Sequence, residues 1–264
     1  MMYIEKDDFR QMLIIAKNEV RKFVRGKKFL IYVLLTTAVF ALITLLPYVL
    51  GGDIGDTPGQ VIAVYISFAS FLAVLAAALF ASVVYVSEFE ERTALILFTR
   101  PVKKTTIFLG KFIGCLALEL VVIIGYYAAS GAATFAATGG FPSIFGTSLG
   151  YMALYTFAAT GVAAVFSTMM RKSGTSTVMT FLTLLLFMSI ITQIISMATD
   201  IDPWFMLDKA GDAILTCIPE YADMFGGLMS SVQVPNVAKT VGTMVGWGVA
   251  STVLSWFLFT RKEL

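Results

Sequence analysis

Six apolar runs, each at or beyond the roughly 20 residues that an α-helix needs to cross a bilayer, constrain this chain most. They occupy 29–50, 60–87, 106–137, 144–170, 173–198 and 240–260. The second carries no charge from Val61 to Ser87 and is longer than the minimum, so it has room to tilt or to protrude from the bilayer. Turn formers or basic pairs close the runs: Gly51-Gly52-Asp53 after the first, Gly139-Gly140-Phe141-Pro142 after the third, Arg171-Lys172 after the fourth and Arg261-Lys262 after the sixth. Only 14% of residues are charged, against about 25% in a soluble domain. The expected fold class is therefore an all-α membrane protein.

Charge placement orients it. With the N-terminus in the cytosol, only Lys209 and Lys239 of the 19 basic residues fall outside, and the opposite orientation would invert that ratio. Both termini are expected in the cytosol. Ahead of the first run, Phe9, Met12, Leu13, Ala16, Val20, Phe23 and Val24 recur at helical spacing among Lys6, Arg10, Lys17, Arg21, Lys22 and Arg25. A basic amphipathic helix over 1–28, lying on the cytosolic leaflet, fits this pattern better than an ordinary surface helix, because no soluble domain follows it. Residues 29–264 then form one transmembrane domain, expected in the plasma membrane.

Several chemistries are excluded or disfavoured. The chain has no His, which removes imidazole ligation and His-based catalysis. Cys115 and Cys217 fall on opposite sides of the membrane in this orientation, so a mutual disulfide is not expected. The start MMYIEKDDFR lacks the apolar core and cleavage site of a signal peptide. No G-x-x-x-x-G-K-[ST] occurs, and Gly110-Lys111 is a lone pair, so no P-loop binds ATP here. Met179, Met188, Met197 and Met206 recur every nine residues, which is two and a half helical turns. Successive members would point to opposite faces, so these read as core filler rather than a Cu(I) path.

The densest charge between runs lies at 87–112, SEFEERTALILFTRPVKKTTIFLGKF. Glu88, Glu90 and Glu91 open it; Arg100, Lys103, Lys104 and Lys111 close it; a short apolar stretch sits between. A short interfacial helix with its charged ends in water suits such a pattern. The run Glu88, Glu90, Glu91, Thr93, Leu95, Leu97, Thr99, Pro101, Val102, Leu109, Gly110 and Lys111 resembles the segment between the second and third spans of ABC-2-type permeases. Where many members have Gly before the Thr, this chain has Arg92. The six-span count, the cytosolic termini and the amphipathic N-terminal helix agree with that family.

The resemblance implies the permease subunit of an ATP-driven exporter. It implies a second copy of this chain and two separate ATP-binding subunits, which would hold the ATP and Mg; this chain would bind no cofactor, catalyse no reaction and contact no nucleic acid. The coupling segment, 88–105, would dock the ATPase. Glu88, Glu90, Glu91 and Arg92 would make the polar contacts, and Leu95, Leu97 and Phe98 would insert into its groove or into the membrane face, with Thr93, Arg100 and Pro101 completing the docking set. The bland reading of these charges is a solvated loop. The apolar spans lean toward a lipid-like, drug-like or other amphiphilic substrate. A different outcome of the same resemblance is an ATP-driven mechanotransmitter or assembly factor through which nothing crosses.

Inside the runs, Glu119 stands alone as an acid well within a span, roughly 12 Å beyond Lys111 along a helix. Intramembrane carboxylates often face a path or a bundle interior. Glu119 fits a substrate path, an interhelical pair or the ion site of a carrier without an ATPase, and equally a carboxylate satisfied by neighbouring Ser or Thr. Gln193, with Ser189 and Thr192, is a weaker polar patch. Gly110 and Gly114, Gly146 and Gly150, and Gly242 and Gly246 form G-x-x-x-G pairs, and Gly125, Ala129, Ala133 and Ala137 form a small stripe, all suited to close helix packing. The outer segment, 199–239, reads as two short helices. Asp202-Pro203 caps the first, which would turn Trp204, Leu207, Ile214 and Leu215 to the membrane and Asp208, Lys209 and Asp212 to water. Pro219 starts the second, through Tyr221, Met224 and Phe225 to Gly226-Gly227. A loop resting on headgroups and a gate over a central path both fit this segment.

Overall fold

The computed structural model describes residues 6–51, 55–91, 102–199, 202–221 and 236–261. The described residues are helical with no strand. Among the described residues, six helices are long and apolar enough to cross a membrane. Span one is Lys27–Leu50, span three Lys104–Thr138, span four Phe145–Met169 and span six Val237–Arg261. Span five runs from Ser173 to Ala198 with a π-helical stretch at Thr183–Phe187. Each boundary falls within a few residues of the apolar run that specified it. Gly139 ends span three as expected: it takes φ 69°, a left-handed cap that glycine reaches without strain, and its N–H donates to the Phe135 carbonyl at 2.8 Å.

Span two departs from a continuous helix. It is built from Pro58–Ile66, Ala69–Leu79, a 3-10 turn at Ala81–Val83 and a terminal turn Val86–Glu90. Its start is a capping box: the Gln60 N–H donates to Thr57 Oγ1 at 3.3 Å, and the Thr57 N–H donates to Gln60 Oε1 at 3.4 Å, with Pro58 in the first turn. The later break has no Pro or Gly behind it, and nothing in the apolar run announces it.

Span two is also the core. Ile62, Ile66, Ala73, Ala76, Ala77, Phe80, Tyr85 and Val86 are fully buried. Span four packs against span six over most of its length. Gly161 faces Gly248 there, and a Cβ at Gly161 would sit 3.1 Å from the Gly248 carbonyl oxygen. Span one contributes little to the interior; Leu30, Leu34, Leu42, Leu45 and Val49 are more than half exposed, the surface a lipid-facing helix presents.

The N-terminal helix, Lys6–Val24, lies along the first half of span three rather than resting on lipid alone. Gly110 and Gly114 make the room: a Cβ at Gly110 would lie 2.9 Å from Ile15 Cβ, and one at Gly114 would lie 2.7 Å from the Ala16 carbonyl oxygen. This G-x-x-x-G thus seats a helix of the same chain. The other two pairs, Gly146 with Gly150 and Gly242 with Gly246, have nothing within 4 Å. The apolar residues of the N-terminal helix divide accordingly. Ala16 and Phe23 are buried against the bundle, while Phe9 and Leu13 stay half exposed.

Two expectations need correcting. The outer helix does not start at Asp202-Pro203; these residues form a turn, and the helix runs Leu207–Thr216. The carbonyls of Trp204 and Phe205, which a helix would use, instead accept bonds from Thr243 Oγ1 at 3.2 Å and Trp247 Nε1 at 2.9 Å on span six. Its apolar face meets protein and not membrane: Leu207 and Ile214 are buried, Gly211 abuts Tyr155 of span four, and Ser148 Oγ donates to the Ile214 carbonyl at 2.8 Å. Pro219 does open a further helical turn at 219–221, and Met224, Phe225 and Gly226-Gly227 lie outside the described residues. The second correction concerns methionine. Met188 and Met206 are buried filler, but Met197 is 85% exposed.

Candidate functional site

The site assembles at one end of the bundle, where spans two, three, five and six end or begin beside the N-terminal helix. Lys104 Nζ donates to the Thr260 carbonyl of span six at 3.4 Å, and Trp256 Nε1 donates to Thr105 Oγ1 at 3.3 Å. Lys103 Nζ reaches Asp8 Oδ2 of the N-terminal helix at 2.7 Å. Lys103 and Lys104, which open span three, are therefore tied to the N-terminal helix and to span six.

At its centre is Lys111. Its ammonium group lies 2.8 Å from Glu19 Oε2 on the N-terminal helix and 2.8 Å from Glu88 Oε1 on the terminal turn of span two. Lys111 and Glu19 are almost fully buried, and Glu88 also meets the exposed Lys22 at 3.4 Å. A buried cation survives only when paired and hydrogen-bonded; here one ammonium joins three helices. Glu19 Oε1 is buried with no hydrogen-bond partner among the described residues, so the pairing on that side rests on Lys111.

The three acids of the 88–91 cluster have distinct surroundings. Glu88 binds Lys111 and Lys22. Glu90 Oε2 accepts the Ser173 N–H at 2.8 Å, which places a carboxylate at the N-terminus of span five, where the helix dipole favours it. Glu91 is exposed. Arg92, Thr93, Leu95, Leu97, Phe98, Arg100 and Pro101 lie outside the described residues. The chain resumes at Val102 and enters span three at Lys104.

Glu119 is fully buried, with Thr160 Oγ1 donating to Oε2 at 2.5 Å and Cys115 Sγ 3.6 Å from Oε1. Donors from spans three and four thus reach both carboxyl oxygens. Gln193 is elsewhere, exposed on span five, and the buried Thr192 beside it bonds the Met188 carbonyl of its own helix. Ser189 Oγ reaches Asp208 Oδ1 of the outer helix at 3.0 Å. The structure does not join Glu119 and Gln193 into one polar patch.

Glu19 escaped the sequence reading, although a signal existed. It lies three residues after Ala16 and four before Phe23, so it is an acid within the buried stripe of the N-terminal helix. Thr160, Ser167 and Ser176 carried no such signal; they are ordinary polar residues of apolar spans until packing places them.

Residues 56–257 match the family model described as ABC-2 family transporter protein. No curated protein matches the chain.

Proposed function

The chain belongs to the ABC-2 transporter family, and from that premise we propose that it works as a dimer with two separate ATP-binding subunits. The membrane-spanning, permease role comes with the family; the dimer, the direction of transport, the docking site and the substrate are the proposal. Export of an amphiphilic or lipid-like substrate fits spans whose interior holds few charges.

One observation carries the docking assignment. Lys111 ties Glu88, at the head of the expected docking segment, to the N-terminal helix and to the start of span three. A push on 92–101 from a soluble subunit therefore reaches three helices through one buried ion node. The basic end of the bundle is the cytosolic face in this reading, as the positive-inside rule requires. Glu88 and Glu90 hold the intrachain geometry, and Glu91 with Arg92 and Arg100 makes the polar contacts to the ATPase.

The test is co-purification of the full chain with an ABC ATP-binding subunit from its native membrane. Reversal of Glu91 to Lys together with Arg100 to Glu should release the ATPase while leaving the thermal stability of the chain unchanged. Retention of the ATPase and of its activity in that variant would sink the docking assignment.

A further inference from the structure

Side chains from two other spans close the break in span two. In an uninterrupted α-helix the Val86 N–H would bond the Ser82 carbonyl, and the Tyr85 N–H the Ala81 carbonyl. Both N–H groups donate instead to Ser167 Oγ of span four, at 3.2 and 3.0 Å. The Ser82 carbonyl accepts from Ser176 Oγ of span five at 2.6 Å, and the Ala81 carbonyl accepts from the Val84 N–H at 3.4 Å. Ser82, Ser167 and Ser176 are all fully buried.

Non-helical backbone at membrane depth persists only where protein satisfies the groups it frees. Breaks in helices usually trace to Pro, Gly or an inserted side chain, and residues 79–87 contain neither Pro nor Gly. The inserted side chains of Ser167 and Ser176 are the cause of this one. Beyond the break, the last turn delivers Glu88 to Lys111 and Glu90 to Ser173.

We propose that Ser167 and Ser176 are positioning residues for the coupling segment: they hold span two open between Leu79 and Val86, so that its terminal turn sets Glu88 against Lys111 and Glu90 against Ser173. Each acts through its hydroxyl, Ser167 as an acceptor and Ser176 as a donor. The purpose of the joint rests on the coupling role proposed above; its geometry does not.

Amide hydrogen exchange on the full chain in phospholipid nanodiscs reads the joint without any partner. Ser167→Ala should raise exchange in 80–86 roughly tenfold, because it leaves the Tyr85 and Val86 N–H groups unpaired. Ser167→Thr, which keeps the hydroxyl acceptor, should stay within about twofold of the parent. Ser176→Ala, acting from a different span, reads the same joint if Ser167→Ala does not fold. ATP hydrolysis by the complex with its ATP-binding subunit should follow the same order. Unchanged exchange in both Ser167→Ala and Ser176→Ala overturns the proposal, as does Ser167→Thr behaving like Ser167→Ala. Raised exchange with unaltered hydrolysis in the complex overturns the positioning role. Failure to capture any ATPase sinks the coupling function while leaving the exchange result readable.

Discussion

Lys111 and Glu19 meet at 2.8 Å in a site that leaves each about one-twentieth exposed. Ninety-two positions separate them in sequence, and one belongs to the N-terminal helix, the other to span three. The N-terminal helix is thus bonded into the bundle by an ion pair that water hardly reaches. Removing one partner of such a pair leaves an uncompensated buried charge, which costs about 3–5 kcal/mol. Lys111→Met is expected to lower the stability of the detergent-solubilised chain by that order. Lys111→Met combined with Glu19→Leu should recover much of the loss, because apolar replacement of a whole buried pair is often neutral. A thermal-unfolding double-mutant cycle measures both; additive losses would show that the two side chains do not act as a pair.

The same helix is seated by steric fit at Gly114. A side chain there would enter the space of the Ala16 backbone, 2.7 Å from its carbonyl oxygen. Backbone cannot yield as a flexible side chain does. Gly114→Leu should cost at least the ~1–3 kcal/mol typical of overpacking, and it should expose the stretch Arg21–Arg25 to trypsin. Gly146→Leu is the control: it has open space around it, and its cleavage pattern should match the parent. Protection of the N-terminal helix in Gly114→Leu would contradict the observed seat.

Length and apolarity made the six spans legible, since a bilayer tolerates few alternatives for runs of this kind. Gly139 marked the end of span three because only a left-handed cap suits it there. The break at 80–85 was not legible, because its cause lies in Ser167 and Ser176, which are 81 or more positions away along the chain. The outer helix was misplaced at its start for a related reason. Asp202-Pro203 has good capping chemistry, but Thr243 and Trp247 of span six claim the carbonyls that such a helix needs. The 88–91 cluster was legible as a charged segment, whereas the division of labour among Glu88, Glu90 and Glu91 needed the packing of spans three and five.

Gly211 allows the outer helix to dock on span four, where an added Cβ would lie 2.9 Å from the Tyr155 ring. Substitution to Val should lift the helix from Tyr155 and weaken the bond from Ser148 to the Ile214 carbonyl. A loss of about 1–3 kcal/mol is expected. Tyr155→Ala in the Gly211→Val background should relieve the clash, so the pair should be less destabilised than the sum of its single variants. Thermal unfolding of the four proteins checks this, and strict additivity would place the strain elsewhere.

Cys217, just beyond the outer helix, offers a titration that reports the docking of that segment. Burial pushes its thiol up to about 11, opposed by a hydrogen bond with Ser148. An exposed thiol titrates near 8.5 and its alkylation rate levels off above that value. The reactive form is the thiolate, whose fraction grows tenfold per pH unit below the pKa. Alkylation of Cys217 by a small neutral maleimide should therefore keep rising through pH 8 to 10, with no plateau. Cys115 is fully buried within span three and should stay unmodified in the folded chain. Gly211→Val, which loosens the outer helix, should bring the Cys217 midpoint down toward the ordinary thiol value. A plateau near pH 9 in the parent chain would mean that the outer segment does not hold Cys217 against the bundle.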